Sequence, residues 1–379
     1  IRFFPELGTE YLAAGPGYYA LTKHADIVAA SRQADLFQSG AGTNIPDLPP
    51  EFNEFFGSMI NMDDPRHARL RKLVSAGFTP RMLQRNMEDV DAAAKTIVHR
   101  LQEAGPGCDF VTTCAAWLPV KIICDMMGIP ESQHEFVFDM TNIILSQGDP
   151  EFVPEGQNPL EAFLGAGAAL AGLIDDIAGQ ADGSDGDTLT HALVNAEIDG
   201  DKLTRDEIQS FFVLLCAAGN ETTRNSISWG LTYLTDNPEQ KALLQSDLGT
   251  HMPGAVEEIV RHASPVIHFR RTVTQDGARL GDTVFNEGDK VVLFYGSGNR
   301  DDAVFDDPYA FDITRDNTNH IGFGGPGPHF CLGAHLARRQ INVLYKELLS
   351  QMPDIHAVGE PDRLRSSFIN GVKHLECAW

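Results

Sequence analysis

A mainly α-helical chain with small β-sheets, folded as a single domain over residues 1–379, is the fold class this sequence predicts. Three observations predict it. Residues 80–200 hold several amphipathic or apolar runs with helical spacing, broken by Gly-Ile-Pro at 128–130 and Gly-Asp-Pro at 148–150. Thr204-Arg-Asp-Glu207 is a capping box that opens a run reaching about Asp236, where Asn237-Pro238 stops it. β-branched runs are concentrated between Val266 and Val292, divided by Asp-Gly and Glu-Gly turns, and read as a small sheet. Length alone suggests two or three domains, but no linker or low-complexity tract separates halves.

In chain order, Gly17-Tyr-Tyr-Ala-Leu-Thr22 reads as a short strand and His24 to Ser31 as a short helix. Gly40 to Pro50, with Pro46, Pro49 and Pro50, is a loop. Asp63-Asp-Pro65 opens the next helix, with acids and a proline in its first turn. On that helix His67 and Arg71 share one face, which is either a solvated charged face or a binding pair. Leu83–Leu101, Ala115–Met127 and Leu160–Ile177 read as helices. Residues 181–187 form an acidic, turn-rich loop that lacks the closing Glu of a calcium loop.

The helix from Thr204 spans roughly 45–50 Å at 1.5 Å per residue. Phe211 to Ala218 is apolar on all faces, so its middle is buried. The polar cluster Gly219-Asn-Glu-Thr-Thr223 follows within it. A buried polar cluster is costly unless hydrogen-bonded, so it marks either a structural kink or a functional site. Glu258 and Arg261 are spaced as a helical ion pair, of little value if exposed.

Composition narrows the partners. Hydrophobic residues make up 42% of the chain, enough for a large core. The net charge is -24 and the isoelectric point near 4.8, which argues against nucleic acid. Six scattered cysteines without a C-x-x-C pair point to a reducing cytoplasm rather than a disulfide framework. Ile1-Arg-Phe-Phe-Pro-Glu6 carries no signal-peptide or membrane-anchor pattern.

The stretch with the strongest chemistry is Phe323-Gly-Gly-Pro-Gly-Pro-His-Phe-Cys-Leu-Gly333, followed by an unbroken helical run from Ala334. It delivers Cys331 to a helix N-terminus, where the macrodipole and free N–H groups favour a thiolate. Its glycines admit a close, flat neighbour, and Gly333 leaves the approach to the sulfur open. Pro328 biases Gly327 toward an extended backbone. Such a loop suits an axial haem ligand. Gly322-x-Gly-x-x-Gly327 also matches the dinucleotide fingerprint, but no apolar strand precedes it. His320, His329, Cys331 and His335 fit no common zinc spacing. A cysteine that merely starts a helix is the remaining alternative.

The loop resembles the cysteine-ligand loop of the cytochrome P-450 haem-thiolate monooxygenases, Phe-Gly-x-Gly-x-His-x-Cys-x-Gly. It departs from it in one place: Gly324 stands seven residues before the cysteine, with Phe323 one position earlier. A bacterial subgroup that oxidises sterol side chains is similar in this respect, as it is in the Gly-Asn-Glu-Thr-Thr-Arg-Asn stretch and the Asn370-Gly-Val-Lys-His374 tail.

The resemblance, which runs through nearly the whole chain in motif order, implies a helix-rich fold with haem b (iron protoporphyrin IX) between the long helix and the Cys331 loop. It implies Cys331 as the iron ligand, with Phe323, His329 and Gly333 of the loop and Gly219 of the long helix beside the cofactor. His67, Arg71 and Arg271 would clamp the propionates, Arg270 being the fallback. Thr222 would donate a hydrogen bond to dioxygen at a local opening of the helix, and Glu221 would relay protons from solvent. Glu258 and Arg261, with Arg315 as third partner, would form a buried structural pair. Residues 40–50 would lie over the substrate, and Ala217, Ala218, Val266 and Ile267 would line its pocket.

The expected reaction is insertion of one oxygen atom of O2 into an unactivated C–H bond of a small apolar substrate. The expected substrate is a steroid or sterol side chain attacked at its end, with fatty acids or terpenes as the alternative. A non-catalytic haem-binding protein and a peroxide-using relative are disfavoured by the acid–threonine pair. Electrons would come from a separate ferredoxin and ferredoxin reductase, docking on a basic face formed by Arg66, Arg69, Lys72 and Arg338 or Arg339.

Overall fold

The computed structural model describes residues 1–8, 13–77, 80–181, 186–198 and 200–379. Of the acidic turn expected at 181–187, residues 182–185 lie outside the described residues.

The long helix spans Arg205–Asp236 and organises the rest. Its capping box is complete: the Glu207 N–H donates to Thr204 Oγ1 at 3.2 Å and the Thr204 N–H to Glu207 Oε2 at 2.9 Å. Helices Trp117–Met127, His134–Leu145, Pro159–Ala181 and Leu248–Ala263 pack around it. Asn237 ends it, its side chain donating to the Tyr233 carbonyl at 2.8 Å. Pro238 does more than stop the chain, because it is also the first residue of helix Pro238–Ser246. A proline is suited to that position, where its missing N–H costs nothing.

Helix Pro159–Ala181 is long and apolar enough to cross a membrane by length and composition. Here it packs against helices His134–Leu145 and Arg205–Asp236, and Asp175 accepts from Arg205 Nε at 2.9 Å. Helix Trp117–Met127 follows a wide, π-helical turn at Val111–Ala115 and ends at Gly128, whose φ of 77° is the left-handed cap that glycine adopts freely.

The segment 266–292 divides between two sheets rather than forming one. Lys290–Phe294 is the centre of a five-stranded sheet, parallel to Tyr18–Leu21 and antiparallel to His268–Val273, with Arg2–Phe4 and Phe37–Gln38 at the edges. Ala278–Leu280 and Thr283–Phe285 pair with each other in a separate two-stranded sheet. The register sets Val291 opposite Arg271 and Val292 opposite Arg270, so the two arginines project to opposite faces. A three-stranded sheet joins His356–Arg363, Val372–Ala378 and the short strand Cys108–Asp109.

Helix Leu248–Ala263 buries Glu258 and Arg261, which meet through two hydrogen bonds of 2.7 Å. Arg261 also donates to the carbonyls of Asn299 (2.7 Å), Pro308 (2.9 Å) and Ala310 (3.0 Å). Arg315 Nε lies 3.4 Å from Glu258 Oε2, and its Nη1 donates to the Asp306 carbonyl at 2.5 Å. These bonds fix the irregular segment that leads into the cysteine loop. Removing one partner of such a buried pair typically costs about 3–5 kcal/mol.

Candidate functional site

The cysteine loop is built by close backbone contacts. The Cys331 N–H donates to the Phe323 carbonyl at 3.1 Å, which closes the loop on itself. Gly327 cannot carry a side chain, since a Cβ would stand 2.3 Å from the Ser31 carbonyl oxygen. A Cβ at Gly325 would stand 2.6 Å from Ser31 Oγ. These two glycines therefore serve packing on helix His24–Arg32. Gly333 differs, because a Cβ there would meet nothing within 4 Å. The Phe323 ring is covered by the Arg338 guanidinium at 4.3 Å, and Arg338 is held by Glu257 at 2.6 and 2.9 Å. Helix Ala334–Gln351 begins three residues beyond Cys331, with Gly333 as its cap.

Cys331 is accessible at its surface. Its surroundings nevertheless desolvate the sulfur and raise its pKa, opposed by the Gly333 N–H and by Arg71 and Arg338. The N–H and the two guanidiniums are what a bound cation at the sulfur would act with to hold the thiolate.

Beside the loop lies a cluster of nitrogen-rich side chains. The His67 and His329 rings stand 4.4 Å apart. His329 Nε2 is 3.2 Å from Ser39 Oγ, and His67 Nδ1 is 3.4 Å from Asp64 Oδ1. His67 Nε2 is buried without a hydrogen-bond partner among the described residues. Burial, then the nearby Arg271, His67 and Arg71, push the His329 pKa down to about 2, so this imidazole is neutral. Arg71 donates to the carbonyls of Pro328 (2.9 Å) and Phe330 (2.8 Å). It thus ties the helix Arg66–Gly77 to the cysteine loop, a role the i,i+4 spacing did not suggest.

Arg270 and Arg271 have different fates. Arg270 donates to Asp47 Oδ1 at 2.5 Å, to the Gly42 carbonyl at 3.1 Å, and to the Ala41 carbonyl. Lys290 joins it, 2.7 Å from Asp47 Oδ2 and 2.8 Å from Glu6 Oε2. Together they clamp the loop at 41–47, so Arg270 is not available as the fallback for an anionic ligand. Arg271 is buried and donates to the Arg270 carbonyl at 2.8 Å. Burial lowers its pKa, with Tyr295 and Asp63 the counteracting groups. A buried guanidinium paired with no carboxylate among the described residues favours an anionic partner.

On the long helix, Ala218 is exposed within an otherwise buried stretch and Thr222 is half-buried. They lie one turn apart, and Thr222 Oγ1 donates to the Ala218 carbonyl at 2.7 Å. Ala217 is buried beside them. The helix is continuous through this region, so the expected local opening is absent. The polar cluster is accommodated instead by side-chain partners. Asn220 donates to Thr141 Oγ1 at 2.9 Å. Glu221, only 1% exposed, accepts from Arg224 and from Asn225 Nδ2 at 3.0 Å. Arg224 in turn donates to Asn142 Oδ1 at 2.6 Å. Glu221 is therefore a buried, anchored acid rather than one in contact with solvent; its second oxygen, Oε2, has no hydrogen-bond partner among the described residues. Gly219 belongs to helix packing, since a Cβ there would stand 2.8 Å from Ile123 Cδ1.

Val266 and Ile267 are half-buried. Val266 pairs with Ile369, and the Ile267 N–H donates to the Phe368 carbonyl at 2.8 Å. The turn at 366–370 is thereby brought beside them. Pairing between residues this far apart has no local signal in the sequence.

The expected basic face is largely neutralised. Arg66 pairs with Glu54 at 2.5 Å, Arg69 with Asp201 (2.5 Å) and Glu207 (2.6 Å), and Arg339 with Asp91 (2.5 Å). Arg338 is taken by Glu257. In a chain this acidic, surface cations find carboxylates of their own.

These residues fit haem b. The donor set supplies one cysteine, exposed as a residue, at a helix start, an open approach at Gly333, and beside it a guanidinium and an imidazole nitrogen that are unpaired with any carboxylate or hydrogen-bond partner, respectively, among the described residues. A dianionic, flat, iron-bearing group satisfies all of them.

Comparison with known proteins agrees. Residues 174–353 match the family Cytochrome P-450. Over 385 residues the chain is 46% identical to the methyl-branched lipid omega-hydroxylase of Mycobacterium tuberculosis, covering 100% of this chain and 88% of that protein. It is 38% identical over 377 residues to the steroid C26-monooxygenase of Rhodococcus jostii, covering 98% and 77%. The fold superposes on a Mycobacterium marinum cytochrome P-450 solved in complex with pseudoionone, with a TM-score of 0.94, 43% identity, and coverage of 100% and 91%.

Proposed function

The chain belongs to the cytochrome P-450 family, and on that basis we propose that it hydroxylates the far end of a long, methyl-branched lipid chain. It is a monooxygenase with haem b. The cofactor supplies the activation of dioxygen that places one atom in an unactivated C–H bond while the other leaves as water.

In this reading Cys331 would hold the iron, Arg271 and His67 would bind the propionates, and Arg71 fixes the loop through the Pro328 and Phe330 carbonyls. Thr222 and Ala218 form the wall of the long helix that faces the reacting end of the substrate. The Thr222 hydroxyl, with its proton on the Ala218 carbonyl, presents lone pairs to the site and accepts or passes a proton there. Glu221 is the internal acid behind it, held in one orientation by Arg224 and Asn225. Ala217, Val266 and Ile267, with the clamped loop at 41–47, shape an apolar channel. A terminal methyl is not the weakest C–H bond of such a chain, so attack there requires a channel that presents the substrate end-on. Burying the rest of the chain at roughly 25 cal/mol per Å² binds it without many polar anchors.

The observation that carries the substrate reading is the 46% identity, across the whole of this chain, to a methyl-branched lipid omega-hydroxylase. A steroid side chain is the second reading, supported by the 38% identity to steroid C26-monooxygenases. The reading further includes a cytoplasmic enzyme reduced by a ferredoxin and its reductase. The docking place would be the cleft between helices Leu248–Ala263 and Ala334–Gln351, where Lys346 lies beside the already paired Arg338 and Arg339.

Titration of the haem spectrum separates the substrates. A methyl-branched fatty acid is expected to shift the iron to high spin at lower concentration than a sterol ketone, and mass spectrometry of the product to place the hydroxyl on the terminal carbon. Tighter binding of the sterol ketone with side-chain hydroxylation would move the assignment to steroids, and hydroxylation away from the chain end would overturn both.

A further inference from the structure

We propose that Cys108 and Cys377 are an oxidisable dithiol, a site of reversible disulfide formation that staples the last strand of the small sheet to the strand entering helix Trp117–Met127.

The two residues are 269 positions apart in sequence, yet their sulfurs stand 3.8 Å from each other. They are directly opposed in the antiparallel pairing of Val372–Ala378 with Cys108–Asp109. Opposed residues in such a pair have Cα atoms about 4.5–5.5 Å apart. That lies within the roughly 4.4–6.8 Å that a disulfide spans. Side-chain rotation alone can therefore bring the sulfurs to bonding distance, with no movement of the strands. Cys108 is half-buried and Cys377 buried. Burial, then Cys108, raises the pKa of the Cys377 thiol. Cys108 is thus the sulfur that meets an oxidant first, and Cys377 the thiol that resolves it.

The oxidant class is a hydroperoxide. Reduction of dioxygen by two electrons without oxidation of substrate yields hydrogen peroxide, so a monooxygenase makes this reagent whenever turnover uncouples. The Cys108 thiolate attacks one peroxide oxygen, the O–O bond breaks, and the hydroxide released takes up a proton to leave as water, giving a sulfenic acid. The Cys377 thiol then attacks the Cys108 sulfur, the S–O bond breaks, and its proton leaves with the hydroxyl as a second water. Two thiols and one peroxide thus become one disulfide and two waters.

The staple falls where the C-terminal hairpin meets the rest of the protein. Asp109, next to Cys108, accepts from the Leu375 N–H at 3.0 Å and lies 2.7 Å from His374 Nδ1. The same hairpin carries Ile369 to Val266. Cross-linking two strands so distant in sequence restricts the unfolded chain strongly.

The test uses the holoprotein. It is treated with a small excess of hydrogen peroxide, quenched with catalase, denatured, alkylated and mapped by mass spectrometry, with diamide as a second oxidant that spares the haem. The expected result is the loss of two of the six alkylatable thiols, restored by dithiothreitol. A linked peptide pair containing Cys108 and Cys377 is expected, with a thermal midpoint several degrees above that of the reduced protein. In Cys377→Ser, Cys108 is expected to be trapped by dimedone as the sulfenic acid. Six alkylatable thiols after both oxidants would overturn the proposal, as would linkage of either residue to the nearby buried Cys114 instead.

Discussion

Arg224 holds Glu221 in a buried ion pair on one turn of the long helix, and is itself anchored by Asn142 at 2.6 Å. Glu221 thus has one oxygen committed to Arg224 and Asn225 and the other, Oε2, uncommitted. If this acid supplies protons to the site, Arg224 sets which oxygen does so. Glu221→Gln is expected to slow turnover by roughly 10²-fold, the scale of a lost acid–base group. Arg224→Ala is expected to do the same while leaving substrate binding near normal, and Thr222→Ala to divert electrons to peroxide. Product formed per electron pair consumed checks all three. Unchanged rate and coupling in Glu221→Gln and Thr222→Ala would remove both from the mechanism.

The neighbours Arg270 and Arg271 should separate cleanly by mutation. Arg271→Ala removes the buried cation without a carboxylate and is expected to lower haem content after gel filtration. Arg270→Ala breaks the clamp on residues 41–47 and is expected to keep the haem while loosening substrate binding. Equal haem retention in both variants would show that Arg271 does not hold the cofactor.

That division shows what could be read from the sequence and what could not. Arg270 and Arg271 have the same side chain and adjacent positions, and only the pairing with Val291 and Val292 assigns their faces. The long helix was legible because its capping box and Asn237-Pro238 are local signals. The same dipeptide concealed helix Pro238–Ser246, since a proline both ends one helix and begins another. The helix start just beyond Cys331 was legible because the loop and the helical run are contiguous. The reasons for Gly219 and Gly327 were not, because Ile123 and Ser31 are distant in sequence. The pairing of the arginines on the expected basic face was not legible for a related reason, since each arginine's acid lies on another element.

Glu257 gives the site an acid limit. Burial raises its pKa, but hydrogen bonds from His320 and Arg338 outweigh burial and bring it down to about 2, from an ordinary 4.5. A carboxylate depressed in this way adds stability that is fully present above pH 4.5 and is lost as pH falls toward 2. The shift corresponds to at most about 3 kcal/mol. Because Arg338 also covers Phe323, acid should release the cysteine loop as well. Denaturant unfolding between pH 5 and pH 2, on the order of the window set by linkage, is expected to show a flatter acid limb in Glu257→Gln than in the parent. Parallel limbs would show that the pair does not govern acid stability.

Whether Cys331 is the sulfur on the iron is read from the spectrum of the reduced protein with carbon monoxide. Fresh native protein is expected to show the red-shifted Soret band of thiolate-ligated haem, and Cys331→Ser to lose it while Cys216→Ser keeps it. A histidine-type spectrum in the native protein, or the red-shifted band surviving in Cys331→Ser, would mean that Cys331 is not the iron ligand.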